Sequence, residues 1–295
     1  MRYLVVVSLV IQYSAISLAQ MVLNQEGQAF TDVPYFNADF ARAIGLKSME
    51  GKVSIKKPGD IIRESKDFFR IEFDSLGRVI KITETKTDAE KKDTTYHSFQ
   101  YDESGKLKYF GKYESGGLTA NYFIFNGEGK LVKLEQRKDI LSRSGELEKT
   151  VLVNTELYTY QKLPVGEKKI FLNSYNLPYM EETEERNTDG YLLSRTQRLK
   201  MSDVQQTKKY VYNEKGLLKS MGVHYNNSEK PIEEHVFRYD ELGNLIEKHA
   251  FKSGAFVEDL QLIYDPKTAI LSSFIQLNKS TGIMKIVRFN QLSYF

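Results

Sequence analysis

A seven-residue phrase recurs along this chain and leaves few folds open to it: residues 73–79 (FDSLGRV), 101–107 (YDESGKL), 125–131 (FNGEGKL), 212–218 (YNEKGLL) and 239–245 (YDELGNL). Each copy reads aromatic, Asp or Asn, two free positions, Gly, one free position, aliphatic. Weaker copies stand at 186–192 (RNTDGYL) and 264–270 (YDPKTAI), the second with Thr268 where the glycine would be. Within each run of copies the glycine positions are 24 to 28 residues apart, a period that marks a repeat of one supersecondary unit.

Each fixed position has a physical reason. A three-residue hairpin loop needs two right-handed residues and then one in the left-handed region, where glycine is free of strain. Gly77, Gly105, Gly129, Gly190, Gly216 and Gly243 supply it. Asp74, Asp102, Asn126, Asn213 and Asp240 stand where a side-chain oxygen can accept hydrogen bonds from the turn's own backbone. If Asp240 and Asn244 flank the loop, Tyr239 faces Leu245 across the hairpin, an aromatic–aliphatic pair of the kind that sets register.

A second set of breaks alternates with the first: near Asp93, Gly116–Gly117, Ser144–Gly145, 173–176, Ser202–Asp203, 226–228, Ser253–Gly254 and 280–282. With Pro164 to Gly166 filling the gap in the first set, the two sets predict about seventeen strands. Apolar residues recur at every second place on the strands entering the main turns, as in Phe69, Ile71, Phe73 and Leu260, Leu262, Tyr264, so one sheet face is buried. The expected fold is all-β, a long antiparallel meander that curls or closes on itself because strand twist accumulates. It runs over 67–295. Residues 20–66 form a short mixed segment before it, with a helix at 37–44 stopped by Gly45 and a strand at 53–55.

The first residues, Met1, Arg2 and Tyr3, precede an apolar run from Leu4 to Ile11, and the small residues Ser17 and Ala19 precede Gln20. This predicts a secretory signal over 1–19, cleaved after Ala19, and an exported chain in the periplasm or beyond. With 0 cysteines the fold rests on packing and hydrogen bonds alone. A formal charge of +3 with basic residues scattered among acidic ones gives no nucleic-acid footprint. No later segment is long and apolar enough for a transmembrane helix.

The phrase YDESGKL, with YDELGNL and FDSLGRV beside it, resembles the YD repeat of the RHS family, whose members wind strand repeats into a shell. The resemblance covers roughly residues 67–270. It implies the hairpin repeat and a bacterial cell-envelope setting, and it carries over no catalytic residue.

The residues favour a non-catalytic structural or ligand-binding module, its partner a cell-surface glycan, a peptide or an envelope protein, with exposed tyrosines as stacking platforms. No cofactor motif is present. The histidines number 4, and His97 and His235 occupy the same freely varied repeat position, which points to structure rather than catalysis. The carboxylates Glu181, Glu182, Glu184 and Glu185 suggest a hydrolase as an alternative, against which they read as a solvated strand end. An outer-membrane β-barrel is the other alternative. Lys81, Lys133, Glu135 and Glu247, placed by simple alternation on the aromatic face, count against it. If residues pair when their numbers sum to 484, His235 lies opposite His249, with Glu247 nearby as a third candidate metal ligand.

Overall fold

The computed structural model describes residues 25–28, 36–88, 91–114, 117–142, 147–164 and 166–295. The signal segment, its cleavage site at Ala19, and the breaks at Gly116 and Ser144–Gly145 lie outside the described residues. One helix, α1 (Ala38–Ala43), precedes eighteen strands. These are β1 (Leu46–Lys56), β2 (Arg63–Phe73), β3 (Val79–Asp88), β4 (Lys91–Tyr101), β5 (Leu107–Glu114), β6 (Gly117–Phe125), β7 (Leu131–Leu141), β8 (Leu147–Lys162) and β9 (Glu167–Leu172). The second half of the chain adds β10 (Pro178–Arg186), β11 (Leu192–Leu199), β12 (Gln205–Tyr212), β13 (Leu218–Tyr225), β14 (Glu233–Tyr239), β15 (Leu245–Lys252), β16 (Ala255–Tyr264), β17 (Leu271–Asn278) and β18 (Met284–Tyr294).

Every strand pairs antiparallel with the next, and β1 pairs with both β2 and β18, so the meander closes into a barrel. The closing strand β1 comes from the N-terminal segment, so the sheet begins at Leu46 rather than near residue 67. The strand expected at 53–55 is the end of that longer element.

At each glycine turn the same hydrogen bonds recur. Asp240 N–H donates to Asn244 C=O at 3.0 Å, and Gly243 N–H donates to Asp240 C=O at 3.1 Å, with Gly243 at φ 90°. The Asp or Asn side chain accepts from the backbone inside the loop: Asp74 Oδ1 takes Leu76 N–H at 3.0 Å and Arg78 N–H at 2.9 Å. Asn126 and Asn213 make the same pair of contacts.

Just past each turn the strands depart from simple alternation. Beyond the Tyr239–Leu245 pair, the next pair is Arg238 with Glu247, and Ile246 is skipped. The same one-residue bulge adjoins Phe73–Val79, Tyr101–Leu107, Phe125–Leu131, Arg186–Leu192, Tyr212–Leu218 and Tyr264–Leu271. A bulge bends its strand and adds right-handed twist, so its repetition curls the sheet toward closure. It also changes which face the outgoing strand presents. The inward apolar residues are therefore three apart, as in Val79 and Ile82, Leu107 and Phe110, Leu218 and Met221, or Leu271 and Phe274. Two expectations are corrected by this shift. Residues past the bulge sum to 485, so His235 pairs with Ala250 and His249 with Val236, on opposite faces. Lys81 and Glu247 pair with Glu72 and Arg238, and Lys133 with Ile124, away from the aromatic face.

The aromatic face is the inside. Phe40 and Ala41 of α1, 2% and 0% exposed, belong to one buried cluster with residues of β1 to β4 and β11 to β17, which a single helix can reach only from within the barrel. Asn37 caps α1 by accepting from Phe40 N–H at 3.0 Å. The helix sits at the glycine-turn end, because a Cβ on Gly77 would lie 2.0 Å from Ala38 C=O.

The motif tyrosines stitch successive hairpins. The hydroxyl of Tyr101 donates to Val79 C=O, Tyr212 to Leu192, Tyr239 to Leu218 and Tyr264 to Leu245, at 2.7 to 2.9 Å. Each acceptor is the aliphatic residue of an earlier copy of the phrase. The tyrosines thus pack an apolar ring against the core while the hydroxyl bonds a neighbouring strand.

Candidate functional site

The buried cluster that includes α1 draws residues from β1 to β5 and β11 to β18 and none from β6 to β10, which leaves the lumen beside β8 to β10 and the far part of β11 uncovered by it. A cavity of about 890 Å³ lies there, lined by Tyr160, Lys169, Phe171, Glu182, Glu184, Arg186, Arg195 and Gln197 among others. Register explains the lining: Lys169 pairs with Glu182, Glu182 with Gln197, and Glu184 with Arg195, so alternate residues of three strands share the inner face.

Glu184 is the hub. One oxygen accepts from Arg195 at 3.0 and 2.7 Å, the other from Arg186 at 2.8 Å. Burial opposes its ionisation, but the hydrogen bonds from Arg186 and Arg195 outweigh that and hold the carboxyl below its ordinary range. Arg186 also grips Glu26 through two contacts of 2.9 and 2.8 Å, which ties the segment 25–28 to the cavity's rim. Beside it, Gln25 donates to Asp189 C=O at 2.8 Å and accepts at its own carbonyl from Leu192 N–H at 2.8 Å.

Lys169 holds its ammonium over the rings of Tyr158 and Phe171, 4.1 and 4.7 Å from their centroids. Burial lowers its pKa, against the pull of Glu182 and Glu156. Below it Glu156 accepts from Tyr158 at 3.1 Å and Tyr179 at 2.5 Å, and burial raises the pKa of both hydroxyls, with Glu156 adding to the shift. Gln197 donates to Glu182 at 2.7 Å. The arrangement offers rings, an amine, carboxylates and an amide to a polar guest. The reading of 181–185 as a solvated strand end is corrected: Glu182 and Glu184 face the cavity, Glu181 bonds Lys168 on the outer face, and Glu185, whose carboxylate accepts from Ser194, is exposed at the cavity's edge.

The four histidines are dispersed. His97 faces inward against Phe110, with ring centroids 5.6 Å apart, and burial lowers its pKa. His224 is buried under the β13–β14 loop, its Nδ1 2.9 Å from Ser228 C=O. His235 faces inward, 2.6 Å from Glu233. His249 faces outward, where Glu247 and Asp259 converge on it. The expected trio of His235, His249 and Glu247 is therefore split between the two faces. Its third member is Asp259, which sequence reasoning missed because the pairing of β15 with β16 was not worked out. Outward tyrosines do stack, Tyr96 on Tyr113 at 4.8 Å, but Lys81 lies 4.9 Å from the Tyr96 ring.

No family model matches the chain, and no curated protein matches it. Among solved structures, a porin-like protein from Bacteroides uniformis is similar at 9% identity and a TM-score of 0.39, over 84% of this chain and 98% of that one. A LolA superfamily protein from Nitrosomonas europaea is similar at 9% identity and a TM-score of 0.27, over 86% and 90%. The Photorhabdus luminescens Tc holotoxin pore aligns at 13% identity and a TM-score of 0.22, over 78% of this chain and 14% of that one.

Proposed function

We propose that this chain is a non-catalytic, exported β-repeat barrel of the bacterial cell envelope that takes a short glycan or peptide into the cavity between β8 and β11. The observation that carries the reading is the lining: Tyr160 and Phe171 rings beside Lys169, Glu182, Arg195 and Gln197 in one concave site of about 890 Å³. Ring faces with convergent hydrogen-bonding groups suit a polar, multi-hydroxyl or amide ligand. A hydrolase is disfavoured on chemical grounds. Carboxylate catalysis of glycoside cleavage needs one carboxyl with a raised pKa to act as the acid, and Glu184, which two arginines hold ionised, does not supply it. The repeated bulged hairpin supports placing the chain with YD-repeat proteins.

The outer-membrane alternative requires a lipid-facing wall. Here the outward face carries Arg70 between Glu50 and Glu72, Lys133 and Arg137 on Glu135, and Arg238 on Glu247. Arginine or lysine at a bilayer midplane costs about 2–4 kcal/mol each, so this wall suits water. Release by osmotic shock without detergent, with an intact mass that begins at Gln20, is the expected result. A detergent-dependent protein would overturn the placement.

The ligand reading is tested by screening oligosaccharides and short peptides, then measuring hits by calorimetry. Gln197→Ala and Lys169→Met should weaken a genuine hit at least tenfold, and Tyr225→Phe, at the exposed end of β13 and outside the cavity lining, should leave it unchanged. Equal affinity across all variants would refute cavity binding.

A further inference from the structure

Outside the cavity, one cluster on the barrel's outer wall is built like a cation site. His249 Nε2 lies 2.9 Å from Glu247 Oε1 and 3.6 Å from Asp259 Oδ1. One ligand atom from each of the three falls within 4.8 Å of the others. The positions are fixed by the sheet: Glu247 and His249 alternate along β15, and Asp259 pairs with His249 from β16.

Two further observations separate this cluster from an ordinary surface ion pair. The far oxygen of each carboxylate is already held, Glu247 Oε2 by Arg238 at 2.9 Å and Asp259 Oδ2 by Gln261 at 3.3 Å. Such outer partners orient metal-binding carboxylates and leave the near oxygen aimed at the ion. Asp259 Oδ1 is buried and has no hydrogen-bond partner among the described residues. A buried carboxylate oxygen without a donor is costly, and a cation would satisfy it.

We propose that Glu247, His249 and Asp259 bind one divalent transition-metal ion, zinc being the best fit. An imidazole nitrogen with two carboxylate oxygens is a three-ligand set open at the remaining position, and zinc takes such ligands at about 2.0–2.2 Å. Ligand atoms on a tetrahedral ion then sit about 3.3–3.6 Å apart, close to the spacing already present, so only small side-chain rotations are needed. Mixed nitrogen and oxygen donors favour zinc over calcium or magnesium, which prefer all-oxygen cages. The site ties β15 to β16 on the wall away from the lumen, so its role is structural or surface-recognition, independent of the cavity.

The test is zinc chloride titrated by calorimetry into the full, untagged chain after chelator treatment. One equivalent should bind at micromolar or tighter affinity, and His249→Ala and Asp259→Asn should each weaken it at least tenfold. His235→Ala, on the opposite face, should change nothing. Circular dichroism of each variant establishes that it folds, and Asp259→Asn, which keeps side-chain shape, covers the case in which His249→Ala does not. Absence of saturable heat below millimolar zinc, or equal losses in His235→Ala and His249→Ala, would overturn the assignment.

Discussion

Removing one tyrosine hydroxyl tests whether the stitches between hairpins contribute to stability. Tyr264 donates to Leu245 C=O at 2.8 Å, and Leu245 is 0% exposed. Tyr264→Phe keeps the ring and deletes only the donor. A net hydrogen bond contributes about 0.5–1.5 kcal/mol, and leaving a buried acceptor short of a donor costs about 1–3 kcal/mol; we expect a loss of about 1.5 kcal/mol. For a chain of this size about 1 kcal/mol corresponds to roughly 2–4 °C in Tm, so the expected fall is about 3–6 °C. Tyr225→Phe is the control, because that hydroxyl accepts from Gln206 at the surface at 2.9 Å, and exposed changes of this kind stay within about 0.5 kcal/mol. The assay is urea denaturation followed by far-ultraviolet circular dichroism, with a thermal scan beside it. An unchanged slope with a lowered midpoint identifies a stability effect. Equal midpoints for Tyr264→Phe and Tyr225→Phe would refute the argument that the hydroxyls hold successive repeats together.

Two other perturbations probe the turns and the core. Gly105 has φ +83° and open space where a Cβ would go, so Gly105→Ala should cost only the left-handed strain of about 1–2 kcal/mol. Gly77→Ala adds a Cβ 2.0 Å from Ala38 C=O, and should cost distinctly more; equal denaturation midpoints would remove α1 from that end of the barrel. Burial pushes the hydroxyls of Tyr101 and Tyr212 up to about 12, from a usual value of 10.0. The folded state therefore holds protons that the unfolded chain releases, and stability present below pH 10 should fall progressively as pH rises toward 12. A denaturation midpoint that stays flat across that interval, measured beside phenolate absorbance, would contradict the burial of those groups.

The turns were legible because their chemistry is local. Asp240 and Gly243 act within their own loop, and the same requirement recurs at every copy of the phrase. The bulge was harder to see because its cause lies in how strands meet across the hairpin. Its trace was nonetheless present: Leu107 and Phe110, or Leu271 and Phe274, are three apart where strict alternation requires two. Overlooking that step put His235 opposite His249 and moved Lys81 to the wrong face. Closure by β1 depended on a pairing between Leu46 and Tyr294, at the two ends of the barrel domain, which no local pattern announces.

The cavity lies where the repeat is least regular, and that coincidence has a physical basis. In intact copies the aromatic position faces the lumen, and where it is tyrosine its hydroxyl bonds the neighbouring hairpin. In the copy at 186–192 that position is Arg186, which cannot pack as an apolar ring and instead reaches Glu184, Glu26 and the Gly190 carbonyl, 3.0 Å away. The preceding hairpin, closed by Leu163 and Gly166, lacks the phrase altogether, and its strands present Tyr160 and Lys169 inward. With Arg186 in place of the motif ring and with Lys169, Glu182 and Glu184 facing inward as charges that require partners, this sector keeps open space where the intact copies pack. Proteins that otherwise satisfy their folding rules tend to break them at functional sites. The departures at Arg186, Lys169, Glu182 and Glu184 concentrate in one sector of the wall, whereas the tolerated Thr268 for Gly replacement leaves its hairpin closed, with Ala269 taking the left-handed conformation at φ 57°.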